Sequence, residues 1–147
     1  MGQLESLEVA YNAENNKSSL EDRMSLEIDI SEDPKGKRIA LGGHLDTTTA
    51  PRLQFKIDES IDESAHTVIL DLARLEFLSS AGLRVIFKTK KLMDRRKGKL
   101  LLLNLQPQVR MVFEIIKALD GMNVFASQEE MDDYLTAMQN KVLAGED

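Results

Sequence analysis

Two short runs constrain this chain more than any other feature. Thr67–Leu72 (TVILDL) and Lys99–Leu105 (KLLLLNL) are apolar on both alternating faces. A strand with one side in water needs only one apolar face, so these read as strands covered on both sides, as in a parallel sheet. Parallel neighbours require a crossover, and the segment between the runs supplies one. There Leu83, Ile86, Phe87 and Met93 form an inner helical face, behind a Ser79-Ser80-Ala81-Gly82 start and ahead of Gly98 as a stop. A right-handed strand-helix-strand unit, and with it an α/β fold, follows.

The flanking segments extend that unit. Met24 to Ile30 alternates apolar and polar residues as a half-buried strand does, Glu32-Asp33-Pro34-Lys35-Gly36 reads as a turn, and Arg38 to Gly42 returns. An antiparallel hairpin with a loop of roughly five residues is expected. Gly42-Gly43 is a turn signal, and Asp46-Thr47-Thr48-Thr49 offers N-cap side chains ahead of Pro51 in the first turn of a helix. Leu53, Ile57 and Ile61 then give that helix a buried stripe. Beyond the second apolar run, Pro107 starts a helix carrying Val109, Val112, Phe113, Ile116 and Leu119, and Val124-Phe125 reads as an edge strand. Ser127-x-x-Glu130 is a capping box before the stripe Met131, Tyr134, Leu135, Met138. The order β-β-α-β-α-β-α-β-α predicts a mostly parallel central sheet of about five strands with about four helices. A chain of 147 residues suits one such domain, over residues 23–147, with 1–22 as a polar N-terminal extension whose apolar residues are Leu4, Leu7 and Tyr11.

Composition excludes several functions. The 19 basic and 25 acidic residues leave a net charge of −6, the wrong sign for neutralising nucleic-acid phosphates. No apolar run has the length of a membrane span and the N-terminus lacks a signal-peptide plan, so a cytoplasmic protein without direct membrane insertion is expected. With no cysteine there is no disulfide, thiolate nucleophile or zinc–sulfur site. His44 and His66 have no ligand partner at metal spacing and read as structural or solvent-facing residues. Glycine-rich phosphate loops, dinucleotide fingerprints and nucleophile elbows are missing. Asp71, on the first apolar run, is the one carboxylate placed for chemistry, and its plainer reading is a loop-facing cap.

One feature remains, the serine pair of Leu78-Ser79-Ser80-Ala81-Gly82-Leu83 at a helix start. The plain reading is an N-cap, since a serine oxygen accepts an otherwise unpaired backbone N–H. The sharper reading is a modification site, because the same helix end tolerates the charge of about −1.5 to −2 that a phosphoserine brings.

At these residues the chain resembles the STAS domain, the family of bacterial anti-sigma-factor antagonists. Gly43-His44-Leu45-Asp46-Thr47-Thr48-Thr49-Ala50-Pro51-Arg52-Leu53 is similar to the family segment between second strand and first helix. Leu70-Asp71-Leu72 through Phe77-Leu78-Ser79-Ser80-Ala81-Gly82-Leu83 is similar to the family strand and switch loop, and the likeness runs from about Met24 to Met138. It implies phosphorylation at Ser80, with Ser79 as the alternative acceptor. The family aspartate before that serine is Ser79 here, and its following Ser/Thr is Ala81. The partner surface it implies comprises Leu45, Asp46, Thr47, Thr48, Ser79, Ser80, Ala81, Gly82, Arg84 and Lys88, with Lys91 and Arg95 as further cations for an acidic partner or for solvation. The implied partner is an anti-sigma factor that is also a serine kinase and supplies ATP and Mg²⁺; a metal-dependent phosphatase would reverse the modification. The chain itself would be no enzyme and hold no cofactor. The alternative is a constitutive STAS adaptor subunit in an ABC transport or signalling assembly; a small enzyme or nucleotide-binding domain is the reading from a different class.

Overall fold

A computed structural model describes residues 25–115 and 121–143. The expected extension, Met24, Ile116 and Leu119 lie outside the described residues. The described chain forms β1 (Leu26–Asp33), β2 (Gly36–Leu45), α1 (Ala50–Ser60), β3 (Thr67–Leu78), α2 (Ser80–Arg95), β4 (Lys99–Leu103), α3 (Pro107–Ile115), β5 (Asn123–Phe125) and α4 (Gln128–Leu143). The strands make one sheet in the order β1-β2-β3-β4-β5, antiparallel between β1 and β2 and parallel elsewhere. This is the expected α/β architecture.

The double-sided apolar runs find their cause in two helical layers. Leu70, Leu72, Leu100 and Leu102 pack into one core with Leu53 and Ile57 of α1, Leu83 and Ile86 of α2, and Val109 and Phe113 of α3. Their neighbours Ile69, Leu101 and Leu103 point the other way and pack with Phe125 and with Met131 of α4. Alternate residues of one strand thus enter opposite cores, and each buried leucine adds roughly 1.5–3 kcal/mol.

Several expected boundaries move. The hairpin pairs as far as Asp33↔Gly36, so its loop is Pro34-Lys35 rather than five residues. The Lys35 N–H, donating to Asp33 Oδ1 at 2.8 Å, closes that tight loop. Gly42-Gly43 is not a turn: both glycines lie inside β2, where the pairing with β3 shifts register. Gly43 has φ 90°, and the Ser25 carbonyl of β1's approach occupies the space a Cβ would need. The glycine pair therefore marks strand irregularity and close backbone contact.

Gly98 is likewise misread as the left-handed stop of α2. Lys97 takes that conformation (φ 60°), and the Gly98 N–H reaches back to the Met93 carbonyl at 2.7 Å, a Schellman arrangement. Gly98 stays small because a side chain would run into the His66 carbonyl, whose oxygen accepts from Lys99 N–H. The capping box of α4 forms: Ser127 Oγ accepts from Glu130 N–H at 3.1 Å, while Glu130 Oε1 accepts from Ala126 N–H at 2.7 Å, one residue earlier than the motif prescribes.

Candidate interaction site

The site is assembled where β2 and β3 end together. Their last paired residues are Leu45↔Leu78, and the Ser79 N–H donates to the Leu45 carbonyl at 2.9 Å, which carries the ladder one residue into the turn. This extension makes β3 reach Leu78, six residues past the apolar run that announced it. It also brings the 46–49 loop beside the start of α2.

The loop is locked by its own side chains. Asp46 Oδ1 accepts from the N–H groups of Thr48 (2.9 Å) and Thr49 (3.1 Å). Thr49 Oγ1 accepts from Asp46 N–H at 2.9 Å and donates to the His44 carbonyl at 2.8 Å. The expected N-cap function of this run is therefore only partly used: Thr49 flanks α1 without a side-chain cap, and its hydroxyl braces the loop instead. Thr47 and Thr48 are left exposed on a fixed backbone.

The serine pair divides its labour. Ser79 is the N-cap of α2 and its Oγ accepts from Gly82 N–H at 3.4 Å. Ser80 is the first helical residue, is exposed, and makes no side-chain hydrogen bond among the described residues. The plain capping role thus belongs to Ser79, and the Ser80 hydroxyl is left at the surface. Gly82 is buried; a Cβ there would lie 2.5 Å from Leu45 Cγ and 2.9 Å from Leu78 Cδ1. The glycine allows α2 to start directly against the ends of both strands.

That packing corrects two expected contact residues. Leu45 is 0% exposed and Gly82 is buried, so both support the surface from beneath and neither belongs to it. Asp46, Ser79 and Ala81 are half-buried, whereas Thr47, Thr48, Ser80, Arg84 and Lys88 are exposed. Two shallow grooves meet here. One, of about 480 Å³, is lined by Ser80, Leu83, Arg84, Phe87, Lys88 and Lys91. The other, of about 300 Å³, runs from Thr47 and Pro51 across Gln54 to Ala81, Val85 and Lys88. Arg84 and Lys88 form the ridge between them, lining both. Phe87, expected wholly within the core, is half-buried and floors the first groove, and sequence reasoning missed it and Gln54 as surface components. The signal for Phe87 was its place at the margin of the inner stripe, next to Lys88.

The carboxylate candidate and the two histidines line neither groove. Asp71 is no loop-facing cap: it sits within β3, and its Oδ2 receives Arg38 Nη2 at 2.6 Å. Its Oδ1 accepts from Ala73 N–H (3.1 Å) and Asn104 Nδ2 (3.3 Å). Arg38 also donates to Gln128 Oε1 at 2.9 Å, tying β2 and β3 to α4. The carboxylate is occupied with architecture. The His44 ring rests against Phe77, with centroids 5.8 Å apart, and His66 is exposed. Among the described residues no cluster of His, Asp and Glu is arranged to hold a metal ion, and no helix is long and apolar enough to cross a membrane.

Comparison with known proteins agrees with this architecture. The STAS domain family model matches residues 27–131. BtrV of Bordetella bronchiseptica, whose name describes an anti-sigma factor antagonist, is 38% identical over 89 residues, 60% of this chain and 77% of that protein. An anti-sigma factor antagonist from Mycobacterium paratuberculosis superposes with a TM-score of 0.67 at 23% identity, covering 78% of this chain and 95% of its own, and shares the fold. The Bacillus cell fate determinant SpoIIAA, solved in its phosphorylated form, gives a TM-score of 0.59 at 25% identity over 74% of this chain and 99% of its own. With residues 27–131 matched and the five-stranded sheet in place, the chain belongs to the STAS domain family.

Proposed function

We propose that this chain is an anti-sigma factor antagonist working by partner switching. Its unmodified form binds an anti-sigma factor through the 46–49 loop, the α2 start and the ridge of Arg84 and Lys88, and so releases a sigma factor. Phosphorylation of Ser80 by that partner, acting as a serine kinase, ends the complex, and a metal-dependent phosphatase restores it. The observation that carries this reading is the division of the serine pair: Ser79 caps the helix while Ser80 presents an exposed, unengaged hydroxyl in the lining of the first groove. A dianion there opposes burial in a dry interface, since an unpaired charge is costly to desolvate. The names of the relatives, and the phosphorylated state of SpoIIAA, support the same role. In this reading the chain is substrate and regulator, with no catalytic residue of its own.

One observation favours a second reading, a constitutive adaptor: Ser79 and Ala81 replace the acidic and hydroxyl neighbours expected around the acceptor. Mass spectrometry of the tryptic peptide 75–84 from native cells separates the two, because fragmentation distinguishes the serines. Phosphate on Ser80 supports the switch; phosphate on Ser79 shifts it by one residue; a peptide unmodified across growth and stress conditions favours the adaptor.

A further inference from the structure

Several basic residues of the described chain are held in ion pairs, and most of those on α2 are not. Lys37, Arg38, Lys56, Arg74 and Arg110 each sit within an ion pair, to Glu32, Asp33 and Asp71, Glu59, Glu27 and Glu114 respectively. On α2, Lys90 pairs with Asp94. Arg84, Lys88, Lys91 and Arg95 are all exposed and have no ion-pair partner among the described residues. Their spacing of four, three and four places them along one helical face. That face begins at Ser80, one turn before Arg84, and both side chains line the same groove.

Resting on the proposal that Ser80 is modified, we infer that Arg84 is the phosphate-binding residue of the modified domain. A phosphate on Ser80 stands four residues before the guanidinium, the separation at which helical side chains meet, with the anion on the N-terminal side where the pair also suits the helix dipole. A guanidinium presents a planar fork that matches phosphate oxygens two at a time, and its rim position lets it turn toward them without leaving a buried hole. Nothing acidic competes within reach on the helix: its first turn has no Asp or Glu. In the neighbouring loop, Asp46 Oδ1 is committed to the Thr48 and Thr49 N–H groups. The modification therefore does two things at once. It adds a dianion to the surface, and it draws Arg84 off the ridge between the grooves, so the partner loses a cation as well as meeting an anion. Lys88, two turns from Ser80, stays on the ridge, and Lys91 stays beside the first groove.

The experiment uses the full chain with phosphoserine installed at position 80 during translation, so it does not depend on which kinase acts in the cell. Phosphorus NMR follows the second ionisation of that phosphate across pH, in the otherwise unaltered chain and in Arg84→Gln, Arg84→Lys and Lys91→Gln. The expected midpoint in the unaltered chain lies below the value of about 6 for a free phosphoserine, with Arg84→Gln returning most of the shift, Arg84→Lys part of it and Lys91→Gln little. An Arg84→Gln midpoint equal to that of the unaltered chain overturns the inference, and so does a larger effect from Lys91→Gln. Circular dichroism of each variant confirms that the fold persists. Peptide mapping of native protein tests the separate matter of whether Ser80 is the acceptor, so the two can fail independently.

Discussion

The outer face of α2 and the polar face of the β1–β2–β3 edge are built from similar residues and do opposite things. On the sheet, Arg38 bridges Asp33 and Asp71 and reaches Gln128, and Arg74 meets Glu27 at 2.7 Å. These charges are spent inside the domain. On α2, Arg84, Lys88, Lys91 and Arg95 make no ion pair among the described residues, and the first three border a groove also lined by Leu83 and Phe87. Charges that satisfy one another hold a fold together; charges left unsatisfied beside apolar surface are free for an incoming molecule.

The largest effect that would break this comparison comes from the paired side. Asp71→Ala leaves the Arg38 guanidinium, whose side chain is 22% exposed, without its shortest partner, and should lower unfolding stability by about 2 kcal/mol. Urea denaturation measures this, and a change below about 0.5 kcal/mol would show that the hub carries no weight. Next comes Ser80→Asp. It should weaken binding to the anti-sigma partner at least about tenfold, or ~1.4 kcal/mol, while stability stays within about 0.5 kcal/mol because the side chain is exposed. Titration calorimetry against the purified partner decides, and undiminished affinity would favour the constitutive adaptor.

A smaller effect sharpens the contrast within the sheet. Glu27→Ala removes an ion pair whose partners are 61% and 62% exposed, and should cost less than about 1 kcal/mol, well under Asp71→Ala. Equal losses for the two would erase the distinction between half-buried and exposed pairs. The smallest effect is a matter of pH. Asp62 is fully exposed, and hydrogen bonds from the Ser64 hydroxyl (2.7 Å) and N–H (3.0 Å) hold its carboxyl below the ordinary 3.8. A lowered folded-state value means that the ionised form is favoured in the native state, so the stabilisation is present above 3.8 and fades as pH falls through the lower folded value. Ser64→Ala should therefore be slightly less stable at neutral pH, and the difference should vanish in acid. A denaturation midpoint difference that stays constant with pH would contradict this.

The parts of the fold that were legible share one property, repetition. The alternation of apolar residues through Leu70, Leu72, Leu100 and Leu102, and the helical spacing of Leu53 with Ile57 or Leu83 with Ile86, follow from strand and helix periods alone. The points misread are single residues whose neighbours come from distant sequence. Gly42 and Gly43 look like a turn because their chemistry is that of a turn; the approach of Ser25 across the sheet makes them a strand irregularity. Leu45 looks like a loop contact until Gly82 brings α2 down on it. Asp71 acquires its meaning only when Arg38 and Asn104 arrive beside it.

The candidate site divides the same way. Local sequence determined that a helix starts at the serine pair, that one of the two can cap it, and that cations follow at helical spacing, because capping and helical periodicity operate within a few residues. Which serine caps, which is left exposed, and that the 46–49 loop stands beside them were decided by the extension of β3 to Leu78 and the hydrogen bond from Ser79 to Leu45. Those are contacts between segments more than thirty residues apart, and only the closed sheet, where backbone groups must find partners across strands, brings them together.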